Sequence, residues 1–198
     1  MSRESVKNTI SLTLITVIAG LLLGLVYEIT KDPIREQKQL AKESAYKEVF
    51  ADAVSFEPVV MDEQIGEELR THGWDADIDE AMKVFDGNQN PLGYVLTVTD
   101  HEGYGGDIQF AMGVKNDGTL NGISFLSIGE TAGLGMKALE EPFRNQFTNK
   151  KAEVFSYTKN GATADKEIDA ISGATITTNA VTNGVNAGLY YISTFGGV

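Results

Sequence analysis

A short segment near the end of the chain combines small residues and hydroxyls directly ahead of a helical pattern. Residues 169–178 read D-A-I-S-G-A-T-I-T-T, and apolar residues then repeat at helical spacing at Val181, Val185, Leu189 and Ile192. Such a turn offers free backbone N–H groups, hydroxyl donors and the positive end of a helix dipole, which together suit a phosphate. An ordinary helix N-cap is the alternative interpretation, because Ser, Thr and Asn are favoured there in any protein.

The same segment resembles the flavinylation motif of the FMN-binding domain family, which includes the G subunit of Rnf electron-transport complexes and the C subunit of sodium-translocating NADH:quinone oxidoreductase. The matching residues are Asp169 and the run Ser172-Gly173-Ala174-Thr175-Ile176-Thr177. The resemblance implies that FMN is attached through its phosphate to the hydroxyl of Thr177. Spacing alone does not rank Thr175, Thr177 and Thr178 as attachment points.

Two further loops carry the resemblance. Gly103-Tyr104-Gly105-Gly106, followed by Ile108-Gln109, is similar to the G-Y-x-G-x-I-Q run of Rnf G subunits. Glu130-Thr131-Ala132-Gly133-Leu134-Gly135 is similar to their E-T-P-G-L-G run. Ala132 replaces the usual proline, and Gly129 stands where a histidine is often found, which leaves the stiffness of this loop open. With the N-terminal anchor included, the resemblance covers nearly the whole chain.

The resemblance implies a set of residues around the cofactor. We expect Tyr104 and Leu134 to contact the flavin ring, and Ser172, Thr175 and the local backbone to hold phosphate or ribityl oxygens. Glu130 and Thr131 either bond the ring edges or cap their own turn. The full expected set is Ser172, Gly173, Ala174, Thr175, Glu130, Thr131, Leu134, Gly135, Tyr104 and Asp169. No side chain is needed as a base, because the flavin does the redox chemistry and the protein positions it.

The composition argues against several kinds of partner and site. The 198-residue chain has a formal net charge of −12, so the phosphates of a nucleic acid would be repelled. It has no cysteine for an iron–sulfur cluster, and its two histidines, His72 and His101, show no zinc spacing. Asp75, Asp77 and Asp79 alternate like calcium ligands, but the glycine and glutamate of a calcium loop are missing. No metal is therefore expected.

An uncharged segment near the N-terminus predicts a membrane anchor. Residues 8–27 contain no charged side chain, and as a helix they would span about 30 Å, the thickness of a bilayer core. A cleaved signal peptide is the alternative, although its apolar region would be shorter. Lysines and arginines lie on both sides, so they do not set the orientation. The resemblance places the domain on the extracytoplasmic side of the inner membrane. Gly20 and Gly24 suit close packing against another membrane helix.

Periodicity and turn residues predict an α+β domain after the anchor, with an antiparallel or mixed sheet and packed helices. We expect helices at 34–50 and 137–147 and after residue 178, and an irregular acidic stretch with a short helix at 57–80. Strands are expected at 81–85, 92–99, 108–114, 120–128, 153–157 and 166–171. Gly184 and Gly188 predict a helix face pressed close to a sheet. The expected organisation is an anchor at 1–30, a connecting helix at 31–55 and an FMN-binding domain at 56–198.

These features together predict a membrane-anchored electron-transfer flavoprotein of an ion-translocating complex of the Rnf type. The resemblance implies partner subunits in the membrane and a separate flavin transferase for maturation, and the protein is not expected to turn over alone. One alternative is a tethered module that binds a phosphorylated ligand without a covalent bond. Another is a structural subunit whose S-G-A-T turn only caps a helix. A self-contained hydrolase is disfavoured, because no nucleophile–base pair is indicated.

Overall fold

The computed structural model describes residues 2–61 and 64–196. It divides the chain into two compact units, Met1–Ala41 and Lys42–Val198. Five residues lie outside the described ones: Met1, Asp62, Glu63, Gly197 and Val198. They include both ends of the predicted domain ranges and two residues of the acidic stretch predicted at 57–80.

A single long helix opens the chain. Helix α1 (Arg3–Val49) continues through Pro33, so the predicted anchor and the predicted connecting helix form one element. The large apolar side chains between Ile10 and Ile29 are all exposed. Among the described residues, α1 is the one helix whose length and composition would allow it to cross a membrane. These properties suit a single-pass anchor.

The second unit is built on a five-stranded antiparallel sheet. Its strands are β1 (Ser55–Pro58), β2 (Ala76–Phe85), β3 (Pro91–Asp100), β4 (Ile108–Lys115) and β5 (Leu120–Ser127), and they lie side by side in chain order. A short helix, α2 (Ile65–Thr71), precedes β2. Because each strand returns beside the previous one, the connections from β2 to β5 are short, whereas residues 59–75, which include α2, join β1 to β2. The β3–β4 loop and the segment after β5 therefore leave the sheet at the same end.

The two faces of the sheet bury different partners. Alternate residues of β3 and β4, such as Leu96 and Phe110, face helix α4 (Thr175–Phe195), while Val95 and Ala111 pack with the buried end of α1. This is the period-2 alternation of a sheet covered on both sides. The prediction for the α4 glycines is confirmed: an added Cβ on Gly184 would lie 2.9 Å from a Phe110 ring carbon.

Several sequence-based boundaries were wrong. Residues 76–80 are not irregular but belong to β2, because buried Ala76 and Ile78 alternate there with acidic residues. The predicted helix at 137–147 is broken into a 3-10 turn (Gly135–Leu139), α3 (Glu141–Arg144) and a second 3-10 turn (Asn145–Phe147). Pro142 lacks an N–H group for a continuing helix and instead lies in the first turn of α3.

The last two predicted strands are shorter than expected. Strands β6 (Ser156–Thr158) and β7 (Glu167–Asp169) form a separate parallel pair. Phe155 does not join them, because the side chain of Asn186 on α4 satisfies both its backbone N–H and its C=O. This bidentate contact fixes the segment before β6 against the middle of α4.

Candidate functional site

Three segments that are distant in sequence meet at a cavity of about 540 Å³. They are the Gly-rich loop after β3, the loop after β5 and the first turn of α4. The lining residues are Tyr104, Glu130, Thr131, Leu134, Gly135, Gly173, Ala174, Thr175, Ile176 and Thr177. The structure thus brings together the three segments that the sequence singled out.

Two of the expected contact residues do not line the cavity. Ser172 is exposed beside it, and the carboxylate of Asp169 accepts a hydrogen bond from the amide of Ala162 at 2.5 Å. The amide of Asp169 also donates to the Gln146 side chain at 2.6 Å. Asp169 therefore holds the β6–β7 connection in place. Ile176, which the sequence did not single out as a contact, joins the lining.

The first turn of α4 offers unpaired amide groups to the cavity. The helix begins at Thr175, so the N–H groups of residues 175–177 have no intrahelical acceptor. Ala174 occupies the N-cap position without a side-chain cap. These amides and the helix dipole make the turn suitable for a negatively charged phosphate.

The three candidate threonine hydroxyls have different environments. Thr178 Oγ1 accepts a hydrogen bond from the Ile171 amide and donates one to the Ala174 carbonyl, both at 3.0 Å. This hydroxyl is fully engaged in closing the turn. Thr177 is only 1% exposed, whereas Thr175 is half-buried, and both line the cavity. The structure therefore leaves two hydroxyls at the cavity.

Gly135 forms the floor of the cavity. A Cβ added at Gly135 would lie 2.6 Å from both Glu130 Oε2 and Thr177 Oγ1, and 2.7 Å from Glu130 Cβ. Since Glu130 Oε2 and Thr177 Oγ1 both lie 2.6 Å from this one position, the two oxygens are at most twice 2.6 Å apart. Any side chain at position 135 would displace them, so the floor requires glycine.

Glu130 connects the floor to the Gly-rich loop. Its carboxylate is buried, and Oε1 accepts a hydrogen bond from the Gly105 amide at 3.2 Å. The two loops also pack backbone to backbone, since a Cβ at Gly105 would lie 2.2 Å from the Gly129 carbonyl oxygen. The Thr131 carbonyl accepts the amides of Leu134 and Met136, which closes the second loop without the proline of the usual motif.

An ion-paired histidine closes the base of the Gly-rich loop. His101 Nδ1 lies 3.0 Å from Asp107 Oδ1, and Nε2 lies 3.1 Å from Asp77 Oδ2. Hydrogen bonds to Asp107 and then Asp77 raise the pKa of His101 to about 9. Sequence reasoning missed this contact, although a histidine and an aspartate six residues apart around a Gly-rich loop were a usable signal.

The mouth of the cavity is apolar and exposed. Tyr104 is 71% exposed, Ile176 52% and Leu134 43%, and all three line the cavity. A larger cavity of about 650 Å³ lies near the other end of α4, beside Trp74 and Tyr190, but it contains none of the predicted site residues. We assign the candidate site to the cavity at the start of α4, because free amides, hydroxyls and an exposed apolar rim coincide there. No group of metal-ligating side chains is found among the described residues.

Comparison with known proteins identifies the domain that contains this cavity. The sequence profile of the FMN-binding domain matches residues 103–190, and that of the RnfG N-terminal region matches residues 1–49. The fold and the site thus define an anchored protein with an FMN-binding domain. Two crystal structures share the fold. NqrC of Shewanella oneidensis is 18% identical, with a TM-score of 0.53 over 76% of this chain and 85% of that one. The C subunit of the Na⁺-translocating NADH-quinone reductase of Parabacteroides distasonis is 22% identical, with a TM-score of 0.50 over 71% of this chain and 76% of that one.

Curated relatives match most or all of the chain. The G subunit of the proton-translocating ferredoxin:NAD⁺ oxidoreductase complex of Clostridium ljungdahlii is 34% identical over 100% of this chain and 99% of its own. The G subunit of the Na⁺-translocating ferredoxin:NAD⁺ oxidoreductase complex of Acetobacterium woodii is also 34% identical, over 91% of this chain and 87% of its own. The chain belongs to the family of G subunits of Rnf-type ion-translocating oxidoreductase complexes. The family and fold predicted from the sequence are confirmed.

Proposed function

We propose that the protein is a membrane-anchored electron-transfer subunit of an Rnf-type complex and carries FMN joined by a phosphoester to a threonine of the α4 turn. One observation carries the proposal: a single cavity combines free helix-start amides, threonine hydroxyls and an exposed apolar mouth. FMN, when bound, accepts electrons and passes them on, while the protein binds and orients it.

The residues of the cavity fit the parts of FMN. The amides of residues 175–177 would hold the phosphate, and the side chains of Tyr104, Leu134 and Ile176 would contact the apolar ring system. The exposure of these three side chains would leave a bound flavin accessible to redox partners. A covalent bond would prevent cofactor loss, which suits a domain that faces a dilute extracytoplasmic space.

We propose Thr177 as the attachment residue, as the motif resemblance predicts. Its Oγ1 lies at the cavity floor beside Gly135, a position that holds no side chain. The buried Glu130 carboxylate is close by and would repel the negative charge of the ester. The free amides at the start of α4 offset that repulsion. Thr175 is the alternative acceptor, because it is more exposed and lines the same cavity.

The remaining parts of the proposal follow from the family. The relatives are named as subunits of complexes, so we propose that this protein works beside other membrane subunits and does not turn over alone. We further propose maturation by a separate flavin transferase and a position on the extracytoplasmic side of the inner membrane. The net charge of −12 supports the absence of a nucleic-acid partner.

The test is flavin fluorescence in a denaturing gel, with the full chain expressed together with a flavin transferase. We expect fluorescence in the wild type, in Thr175→Val and in the exposed control Thr148→Val, and its loss in Thr177→Val. Loss in Thr175→Val alone would move the attachment to Thr175. A colourless wild-type band would exclude the covalent bond, and FMN titration of that protein would then distinguish a non-covalent module from a structural subunit.

A further inference from the structure

A buried carboxyl group lies behind the Gly-rich loop. Asp100, the last residue of β3, is 0% exposed. Its Oδ1 accepts a hydrogen bond from the Glu102 amide at 2.9 Å. Its Oδ2 is buried and, among the described residues, has no hydrogen-bond partner. Burying an ionised carboxylate with one bare oxygen is costly, and a proton on that oxygen removes most of the cost.

The surroundings of Asp100 contain few charges. On the α4 side it faces Gly184, whose added Cβ would lie 3.4 Å from Asp100 Cβ, and α4 carries no charged residue along its length. The charged and titratable groups that act on Asp100 are Glu102, His101 and Asp75. Burial raises the pKa of Asp100 to about 7, the Glu102 amide and His101 oppose the rise, and the carboxylates of Glu102 and Asp75 add to it.

Hydrogen bonds connect the loop beside Asp100 to α4 and to the loop after β5. Glu102, whose amide donates to Asp100, in turn accepts a hydrogen bond from Asn183 Nδ2 on α4 at 2.7 Å. The same loop continues to Gly105, whose amide binds Glu130. Along α4, Thr177 and Gly184 are separated by seven residues, which corresponds to about 10 Å.

We propose that adding an electron to a flavin held at the start of α4 increases the fraction of molecules in which Asp100 carries a proton, and that this proton comes from water. The electron resides on the flavin, and the proton converts the Asp100 carboxylate to a carboxylic acid, with Oδ2 as the acceptor atom. The proposal rests on the function proposed above. Asp100 packs beside Gly184, about 10 Å along α4 from Thr177. At that separation and an effective dielectric constant of about 20, a negative charge near the α4 turn increases the proton affinity of a carboxyl group roughly tenfold. Such a shift changes the protonated fraction of Asp100 substantially at neutral pH.

The experiment is an oxidised-minus-reduced infrared difference spectrum of the flavin-loaded full chain at an electrode, at pH 7. We expect a band in the carbonyl-stretch region of protonated carboxyl groups on reduction. The band should be absent from Asp100→Asn and unchanged in Asp52→Asn, which removes the same charge at an exposed position. Gel fluorescence of the same samples establishes separately whether covalent flavin is present.

The outcomes separate the two proposals. If flavin is bound and reducible but no carboxyl band forms, or if the band persists in Asp100→Asn, the proton uptake at Asp100 is excluded while the proposed function stands. If no flavin remains bound, both proposals fail. Carbon-13 NMR titration of the wild-type aspartate carboxyls in both redox states needs no variant. A tenfold difference in the proton affinity of Asp100 between the states would support the proposal, and an equal affinity would overturn it.

Discussion

Replacing Gly135 by alanine tests whether the cavity floor has the geometry described. The new Cβ would lie 2.6 Å from Glu130 Oε2 and Thr177 Oγ1, and the two side-chain ends could rotate away. Glu130 Cβ, at 2.7 Å, cannot move without its backbone. The carboxylate of Glu130 must then leave the Gly105 amide, so both loops of the cavity are disturbed together.

The expected cost of Gly135→Ala follows from overpacking. Forcing a methyl group into a filled space costs about 1–3 kcal/mol, which for a domain of this size lowers the melting temperature by roughly 2–10 °C. We also expect less covalent flavin after expression with the transferase, because the lining is distorted. Thermal unfolding of flavin-free protein and gel fluorescence measure the two effects independently.

The matched control is Gly87→Ala in the β2–β3 turn. A Cβ there would meet only a Val54 methyl group at 3.7 Å, which is ordinary van der Waals contact. We expect this variant to be as stable as the wild type or slightly more stable, because alanine restricts the unfolded chain. If Gly135→Ala matches Gly87→Ala in both stability and flavin content, the description of the floor is wrong.

Three further changes test the surroundings of the cavity. Because burial raises the folded-state pKa of Asp100 to about 7, its contribution to stability is complete below the unfolded pKa near 3.8 and is lost as pH rises through 7. The free energy of unfolding of the wild type should therefore fall by up to about 4 kcal/mol relative to Asp100→Asn between pH 4 and pH 8. The pKa of His101 is raised to about 9, so its stabilising contribution is present below pH 6.5 and is lost as pH rises through 9; His101→Gln should remove that alkaline loss. Thr178→Val leaves the Ile171 amide without its acceptor and should cost about 1–3 kcal/mol in urea unfolding, without abolishing flavin attachment.

A specific experimental result would contradict each of these three expectations. Parallel pH profiles for the wild type and Asp100→Asn would show that the Asp100 pKa is not raised. An alkaline stability loss that persists in His101→Gln would have to come from other groups. Loss of flavin in Thr178→Val, with no loss of stability, would assign Thr178 a direct role in binding the cofactor.

Much of the fold could be predicted because strong periodic patterns coincide with buried elements. The alternation along β3 and β4 and the helical spacing of Val181, Val185 and Leu189 correspond to one continuous core. The start of β2 could not be predicted from the sequence, because acidic residues on its exposed face alternate with the buried Ala76 and Ile78 and make the segment resemble a polar loop. An alternating pattern is hard to recognise in a sequence when the polar face is strongly charged and one of the few buried residues is as small as Ala76.

The site was less accessible to sequence reasoning than the fold. Family motifs identified its three loops, but residue types alone do not distinguish a buried hydroxyl from a half-buried one, as at Thr177 and Thr175. The burial of Asp100 could not be predicted from the sequence either, since an aspartate at the end of a strand ordinarily lies in a solvated turn. Both features depend on how α4 packs against the sheet, which is a long-range property of the fold.

Mass spectrometry of one tryptic peptide tests the central claim most directly. Cleavage after Lys166 releases residues 167–198, which contain no further lysine or arginine and hold every candidate threonine of the α4 turn. From protein matured with a flavin transferase, we predict this peptide with FMN added as a phosphoester, with fragment ions that place the ester on Thr177. Recovery of the peptide only in its unmodified form would contradict the account.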